Sequence, residues 1–429
     1  MRLFLCLFFT EPVMPCYASN TLMSLEEAQK AIFHAINTVT DTEQLALDDL
    51  LHRVLADDIY APINVPTFDN AAMDGYAFYH DDAITQYRLV GESLAGHAFN
   101  GVLNQGECVR IMTGAVVPEG ADTVVMQEQA EQHIMGQIIT VTFNAAVQQG
   151  SNIRKAGGDI KKGVLLLSKG KRLTPVDIGL LASIGLGHAQ VYETVTAAVF
   201  STGDELIQPD NPLKSGHIYD SNRPMLKAML KALHINVLDL GVIPDNKHAI
   251  TDAFTKASEQ AHCVITSGGV SVGEADFTRQ VLEDIGNVHF WKLAIKPGKP
   301  LAFGNIQQCV FFGLPGNPVS SAVTFDILAK PALLKIAGLC QHHKPLLKAK
   351  ASAPFKKKPG RTDYQRAIYQ IDERGNITVA PYKEQSSAVL SGFSGSNGYA
   401  VLEQHRNSVK AGEWVTIKPY NMLFNQSDD

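Results

Sequence analysis

Residues 263 to 277 read CVITSGGVSVGEADF, and this stretch decides the fold. A short apolar, β-branched run, Cys263 to Thr266, passes into Ser267, Gly268 and Gly269, then Gly273, Glu274 and Asp276 lead into an amphipathic segment. The pattern predicts a buried strand, a glycine loop and the acidic start of a helix. In an open α/β sheet, ligands lie beyond the carboxyl ends of the strands, where glycines let backbone N–H groups come close to an oxyanion. Outward from it, residues 194–338 alternate between strand and helix patterns, which predicts a doubly wound, mainly parallel sheet. TVTAAVFSTGDEL ends in Asp204 and Glu205; residues 218–233 form a helix capped by Asp220, Ser221 or Asn222; NVLDLGVIPDN ends at Asp245; and CVFFGLP ends in the rigid turn Pro315-Gly316-Asn317-Pro318.

The rest of the chain is organised differently. With 429 residues, several domains are expected. Met23 precedes Ser24-Leu-Glu-Glu27, a capping box opening a helix, so the folded part is expected to start near Met23. MRLFLCLFF, followed by Cys16-Tyr17-Ala18, has the outline of a short export signal, and a mis-assigned start codon is the competing reading. A second amphipathic stretch spans residues 45–56. Residues 87–142 hold short alternating runs broken by Gly, Asn and Pro, the signature of a small inserted β unit. Thr174-Pro175-Val-Asp177 opens a helix with cap, proline and early acid. Strand patterns return after residue 339 and predict a barrel-like C-terminal domain, in which Lys356 to Gly360 read as a solvated loop. The expected divisions are a split linking and dimerisation domain, 23–62 with 151–192; an inserted β domain, 63–150; the α/β domain, 193–338; and the β domain, 339–429.

Composition narrows the function. Hydrophobic residues make up 45% and charged ones 19%, and no apolar run approaches the ~20 residues of a membrane span. A net charge of -6 gives no general attraction to nucleic acid, so an anionic ligand must be met by local cations. The six cysteines are scattered, without C-x-x-C or zinc spacing, which fits a reducing, cytoplasmic setting. Neither a Ser-His-Asp arrangement nor a Gly-x-Gly-x-x-Gly fingerprint stands out. If the strand ends converge, Asp204, Glu205, Asp245, Glu274 and Asp276 meet Lys292, Lys296 and Lys299. Gathered carboxylates repel one another unless a hard cation such as Mg²⁺ lies between them, with waters and substrate phosphates completing its shell. Such a set suits phosphoanhydride chemistry, where catalysis is largely positioning and charge neutralisation. Asp69 and Asp74 in PTFDNAAMDGYAF, Thr113 in RIMTGA, and Arg154, Lys155 and Asp159 in NIRKAGGD mark loops whose residues serve either as turn formers or as ligand contacts.

FDNAAMDGYA, RIMTGAVVPEGADTVVMQE, FSTGDEL, IYDSN, TSGGVSVGEADF, KLAIKPGKP and GLPGNPVS, in this order from Met23 onward, resemble the MoeA/gephyrin family of molybdopterin molybdenumtransferases. The resemblance implies an elongated homodimer of four-domain subunits that cleaves adenylylated molybdopterin with Mg²⁺, inserts molybdate and releases AMP. Carried over by motif, it implies important, catalytic positions at Asp74, Thr113, Asp159, Glu205, Asp245 and Asp276, and their chemistry assigns Glu205, Asp245 and Asp276 to metal and phosphate positioning. Arg154, Lys292, Lys296, Pro315 and Pro318 match as well, and the expected substrate-binding set adds Ser267, Gly268, Gly269, Lys299, Gly316 and Asn317 from the loops read above. The loop reads Ala-Gly-Gly-Asp where many relatives carry a more charged run ending Glu-Asp, which leaves no acid at Gly158. Contact with the molybdopterin adenylyltransferase and with molybdoenzyme maturation proteins is a further implication. Two other readings stand beside the insertase: a molybdopterin adenylyltransferase, since the SGG module is shared, and a non-catalytic scaffold of the gephyrin type, a branch with an extra domain. The flanking β domains and DNAAMDGYA favour insertion.

Overall fold

The computed structural model describes residues 22–144, 146–268, 277–340, 346–420 and 423–424. Gly269, Glu274 and Asp276 therefore lie outside the described residues, as do residues 1–21, on which the export-signal and start-codon readings fall. The chain divides into two compact units, residues 43–191 and residues 1–42 with 192–429.

Helix α1, Leu25–Ala35, begins at the predicted capping box: Ser24 Oγ accepts from the Glu27 N–H and Glu27 Oε2 accepts from the Ser24 N–H. In the unit 43–191, six strands form one sheet: β1 (Gly75–Phe78), β2 (Gln86–Ser93), β3 (Glu107–Ile111), β4 (Thr123–Met126), β5 (Ala130–Met135) and β6 (Ile138–Phe143). Their order is β4-β1-β3-β2-β6-β5. Successive residues serve opposite faces: Ala77, Val109 and Val124 pack in one core, Tyr76, Phe78, Cys108 and Val125 in another. This is the period-two burial the alternating sequence required. Helix α2, Pro175–Ser183, starts at the Thr174–Asp177 capping box. Residues 45–56 depart from a helical reading, since only a strand, Thr42–Ala46, and a single turn, Leu47–Asp49, form there. The reason is non-local: the N–H groups of His52 and Leu55 bond the carbonyls of Leu173 and Lys171, and the Leu173 N–H bonds the Arg53 carbonyl. Leu50 and Leu55 are thereby buried against Leu173 and Leu181 without helical hydrogen bonds.

In the other unit, β7 (Thr196–Thr202), α3 (Asn222–Ala232), β8 (Asn236–Ile243), α4 (Lys247–Gln260), β9 (Cys263–Ser267), α5 (Phe277–Ile285), β10 (Asn287–Lys292), β11 (Pro300–Ile306), β12 (Cys309–Leu314), α6 (Pro318–Thr324) and α7 (Lys330–Ile336) build the α/β module. The strand order is β8-β7-β9-β12-β11-β10, parallel from β8 to β12 and antiparallel from there on. Ala197, Val199, Ile265 and Phe312 face α1, α3, α6 and α7, whereas Ala198, Phe200, Val264 and Phe311 face α4 and α5. Both faces are covered, which explains why these strands read as unbroken apolar runs rather than alternating ones.

Beyond it, β13 (Leu347–Ala351), β14 (Thr362–Ile371), β15 (Ile377–Pro381), β16 (Gly398–Leu402) and β17 (Trp414–Pro419) pair in the ring β14-β15-β13-β17-β16-β14, a closed five-stranded barrel. Its Ala349, Ala367, Val379, Ala400 and Ile417 fill the interior. Tyr364, Phe393 and Tyr399 instead join the core beneath α6 and α7.

Candidate active site

The carboxyl ends of the parallel strands form a row. At the end of β7, Gly203 (φ +143°) lets the Glu205 carboxylate fold back, since a Cβ at Gly203 would stand 2.6 Å from Glu205 Oε2. At the end of β8, the Asp245 N–H donates to Asp204 Oδ1 at 3.2 Å. Burial pushes the Asp245 carboxyl up from its ordinary value, and the charges of Asp204 and Glu205 push it further. Among the described residues, none of these three acids has an ion-pair partner. Three adjacent acids without a counter-charge form a locally unfavourable arrangement that a bound cation relieves. No group of three or more metal-binding side chains is preformed among the described residues. Mg²⁺ does not require one, because it keeps several waters and takes one or two carboxylates plus substrate phosphates.

One strand further along, β9 ends at buried Ser267, and Gly268 adopts φ +93°. The Gly268 N–H donates to the Leu314 carbonyl at 3.2 Å, so Gly268 contributes close approach rather than a free donor. A Cβ on Gly316 would lie 3.8 Å from the Gly268 Cα, so the two loops touch. The Gly316 and Asn317 N–H groups have no acceptor among the described residues. Asn222, the first residue of α3, spans both loops, its Nδ2 donating to Ser267 Oγ at 2.7 Å and to the Gly316 carbonyl at 2.6 Å.

Next to these loops opens a cleft of about 710 Å³, lined by Gly268, Lys296, Lys299, Pro315, Gly316 and Asn317 on the α/β side and by Arg361, Asp363, Arg366 and Ser387 on the barrel side. Lys296 Nζ lies 3.3 Å from Asp363 Oδ2, a carboxylate that also accepts from Gln365 Nε2 at 2.9 Å. Arg366, 1% exposed, donates to the carbonyls of Glu384 (2.6 Å), Ser386 (3.1 Å) and Val389 (3.3 Å) and so pins the loop that carries Ser387. The lysine run beside it is not simply solvated. Lys357 is 7% exposed, and its Nζ donates to the carbonyls of Lys358 (3.2 Å), Arg361 (2.8 Å) and Gln404 (3.5 Å), fixing the backbone that presents Arg361.

The gathering of acids and lysines in one cavity is thus only partial. Lys296 and Lys299 line the cleft; Glu205 and Asp245 stand on the neighbouring strand ends on the other side of Gly268, and exposed Lys292 is not part of the lining. Pro318 starts α6 behind the turn. Asn222, Arg361, Asp363 and Arg366 went unread: Asn222 looked like a helix cap, and the others sit in an alternating strand region whose inward side no single sequence reveals.

In the unit 43–191, three loops converge. Asp74 Oδ1 accepts from Thr113 Oγ1 at 2.6 Å and from the Thr113 N–H at 2.7 Å, which holds the carboxyl below its usual range. Asp69 accepts from Lys155 Nζ and from the Ala156 N–H, both at 2.8 Å. Arg154 pairs with Asn70 across a two-residue ladder, and the Asp159 N–H donates to the Val65 carbonyl. Asp74, Thr113 and Arg154 therefore belong to neighbouring loops of one unit, with Asp69 and Lys155 as a linking ion pair.

Comparison with known proteins gives this geometry a family. Residues 23–185 match the MoeA N-terminal region (domain I and II), residues 198–335 a probable molybdopterin binding domain, and residues 348–420 the MoeA C-terminal region (domain IV). The molybdopterin molybdenumtransferase of Haemophilus influenzae is 47% identical over 405 residues, 94% of this chain and 100% of that protein. Gephyrin of Dictyostelium discoideum is 31% identical over 93% of this chain and 62% of its own length. A crystal structure of the molybdopterin biosynthesis MoeA protein from Pyrococcus horikoshii superposes with a TM-score of 0.78 at 29% identity, over 93% of this chain and 100% of that one. No helix among the described residues is long and apolar enough to cross a membrane. On these relationships the chain belongs to the MoeA family of molybdopterin molybdenumtransferases, transferases of molybdenum cofactor biosynthesis.

Proposed function

We propose that the chain inserts molybdate into adenylylated molybdopterin in a Mg²⁺-dependent reaction that releases AMP. The observation that carries this reading is the row of strand ends on which acids without counter-charge, glycine turns and the cations of one cleft stand side by side. A substrate that is itself a polyanion with a bound cation fits such a row. Lys299 and Arg361 supply fixed positive charge for a phosphate or for molybdate, the Gly316 and Asn317 N–H groups supply donors, and Asp363 keeps Lys296 oriented. Glu205 and Asp245, together with Asp276, would hold Mg²⁺, which when bound neutralises phosphate charge. Within the unit 43–191, Asp74, Thr113 and Asp159 are proposed as catalytic residues and Arg154 as a substrate-binding residue.

The same reading includes a homodimer and the division 23–62 with 151–192, 63–150, 193–338 and 339–429. Incubation with adenylylated molybdopterin, molybdate and Mg²⁺, followed by mass spectrometry, tests it. Equimolar AMP and a molybdenum-containing pterin are expected. Adenylylation of molybdopterin from ATP, with no molybdenum product, would favour the adenylyltransferase reading instead.

A further inference from the structure

The turn between β12 and α6 must present its amides in one direction to bind an anion, and among the described residues no side chain of the turn itself holds the Gly316–Asn317 peptide. The Gly316 residue has no side chain, and the Asn317 side chain is used elsewhere, its Nδ2 donating to Ser387 Oγ at 3.2 Å. The constraint comes from outside, through the carbonyl of Gly316, which accepts from Asn222 Nδ2 at 2.6 Å. The peptide joining Gly316 to Asn317 is planar and trans, so a carbonyl held toward Asn222 aims the Asn317 N–H the opposite way. We propose that Asn222 is a positioning residue for the reaction, one that fixes the Gly316–Asn317 peptide so that its N–H serves the bound anion. This rests on reading the cleft as the site of the polyanionic substrate.

The surroundings make Asn222 suited to that task. Its second contact, to Ser267 Oγ, ties the same amide to the end of β9, so one side chain links both loops. Its backbone neighbour Arg223 is buried and held by Asp220 (3.0 Å) and Asp239 (2.7 Å), which anchors the first turn of α3. Asn222 Oδ1 is buried without a partner among the described residues, so the amide is oriented by its two donated bonds alone. A carboxylate, a hydroxyl or a methyl group at this position cannot donate twice.

Calorimetric titration of AMP into the full-length protein with Mg²⁺, for wild type, Asn222→Ala and Asn222→Asp, tests the proposal. The dissociation constant for AMP should rise about tenfold in Asn222→Ala, the order of one lost hydrogen bond to a charged group. It should rise further in Asn222→Asp, where the carboxylate repels the Gly316 carbonyl and favours the flipped peptide. Melting temperatures within a few degrees of wild type would separate this from a general loss of structure, and the nearly isosteric Asn222→Asp carries the test if the alanine variant unfolds. Wild-type AMP affinity in a folded variant would overturn the role of Asn222. No AMP binding by wild type would overturn the reading of the cleft itself, and the proposal with it.

Discussion

Glu205 and Asp245 carry opposite consequences for stability and for activity. Burial and the neighbouring charges of Asp204 and Glu205 disfavour ionised Asp245, so without a cation this corner of the molecule weakens the fold. Mg²⁺ should therefore raise the melting temperature, with a stabilisation of about 2.7 kcal/mol at a hundred times its dissociation constant. Glu205→Ala should abolish that increment, and AMP release should fall by about a hundredfold or more while the protein stays folded. Asp276→Ala is expected to behave alike in AMP release. Differential scanning fluorimetry with and without Mg²⁺ checks the first effect and single-turnover AMP release the second; an unchanged Mg²⁺ increment in Glu205→Ala would remove it as a ligand. Thr113→Ala takes a hydroxyl donor from Asp74 but leaves the backbone N–H bond, so a smaller loss of turnover is expected, of about tenfold.

The helical segment Pro318–Ile336 shows what elements do here. It runs through α6, a π-helical turn at Phe325–Ala329 and α7. The π turn carries Asp326, almost fully buried, whose Oδ1 accepts from Lys330 at 2.9 Å and whose Oδ2 accepts from Lys418 of β17 at 2.5 Å. One carboxylate thus joins the helix that starts at the cleft to the barrel that supplies Arg361 and Asp363. Burial raises the Asp326 carboxyl, but Lys418 and Lys330 outweigh it and bring it down to about 2. A folded value below the unfolded one means stability that is full above the unfolded pKa, roughly 3.9, and lost as pH falls toward about 2. Asp326→Asn should cost about 3 kcal/mol at neutral pH by removing the buried carboxylate that pairs with two partly buried cations. In urea unfolding that difference should narrow as pH drops below about 4; a constant difference would mean the charge is not what matters. The local elements were legible where the signal was local: the Ser24 and Thr174 capping boxes, and the β9 run into glycine. Residues 45–56 were not, because Leu173 and Lys171 supply the backbone partners that a helix would have supplied internally. Lys357 was not, because its carbonyl cage includes Gln404, 47 residues away.

For the molecule as a whole, the order of seven motifs was enough to read the family, while the α/β sheet was legible in the alternating patterns of residues 194–338 and the barrel-like domain in the strand runs after residue 339. What the sequence left unread was the division of charge along the strand ends. Carboxylates stand over β7 and β8, cations line the cleft past β9 and β12, and Gly268 lies between. That division follows from strand order, which a linear pattern does not contain, and under the proposed function it would orient the substrate, metal-bearing phosphate toward the acids and the remaining negative charge toward Lys299 and Arg361. A crystal structure of the protein with AMP and Mg²⁺ tests this most directly. The account predicts the AMP phosphate beside Gly316 and Asn317, with Mg²⁺ on the Glu205 and Asp245 side of Gly268. AMP bound on another face, or Mg²⁺ held away from both carboxylates, would contradict it.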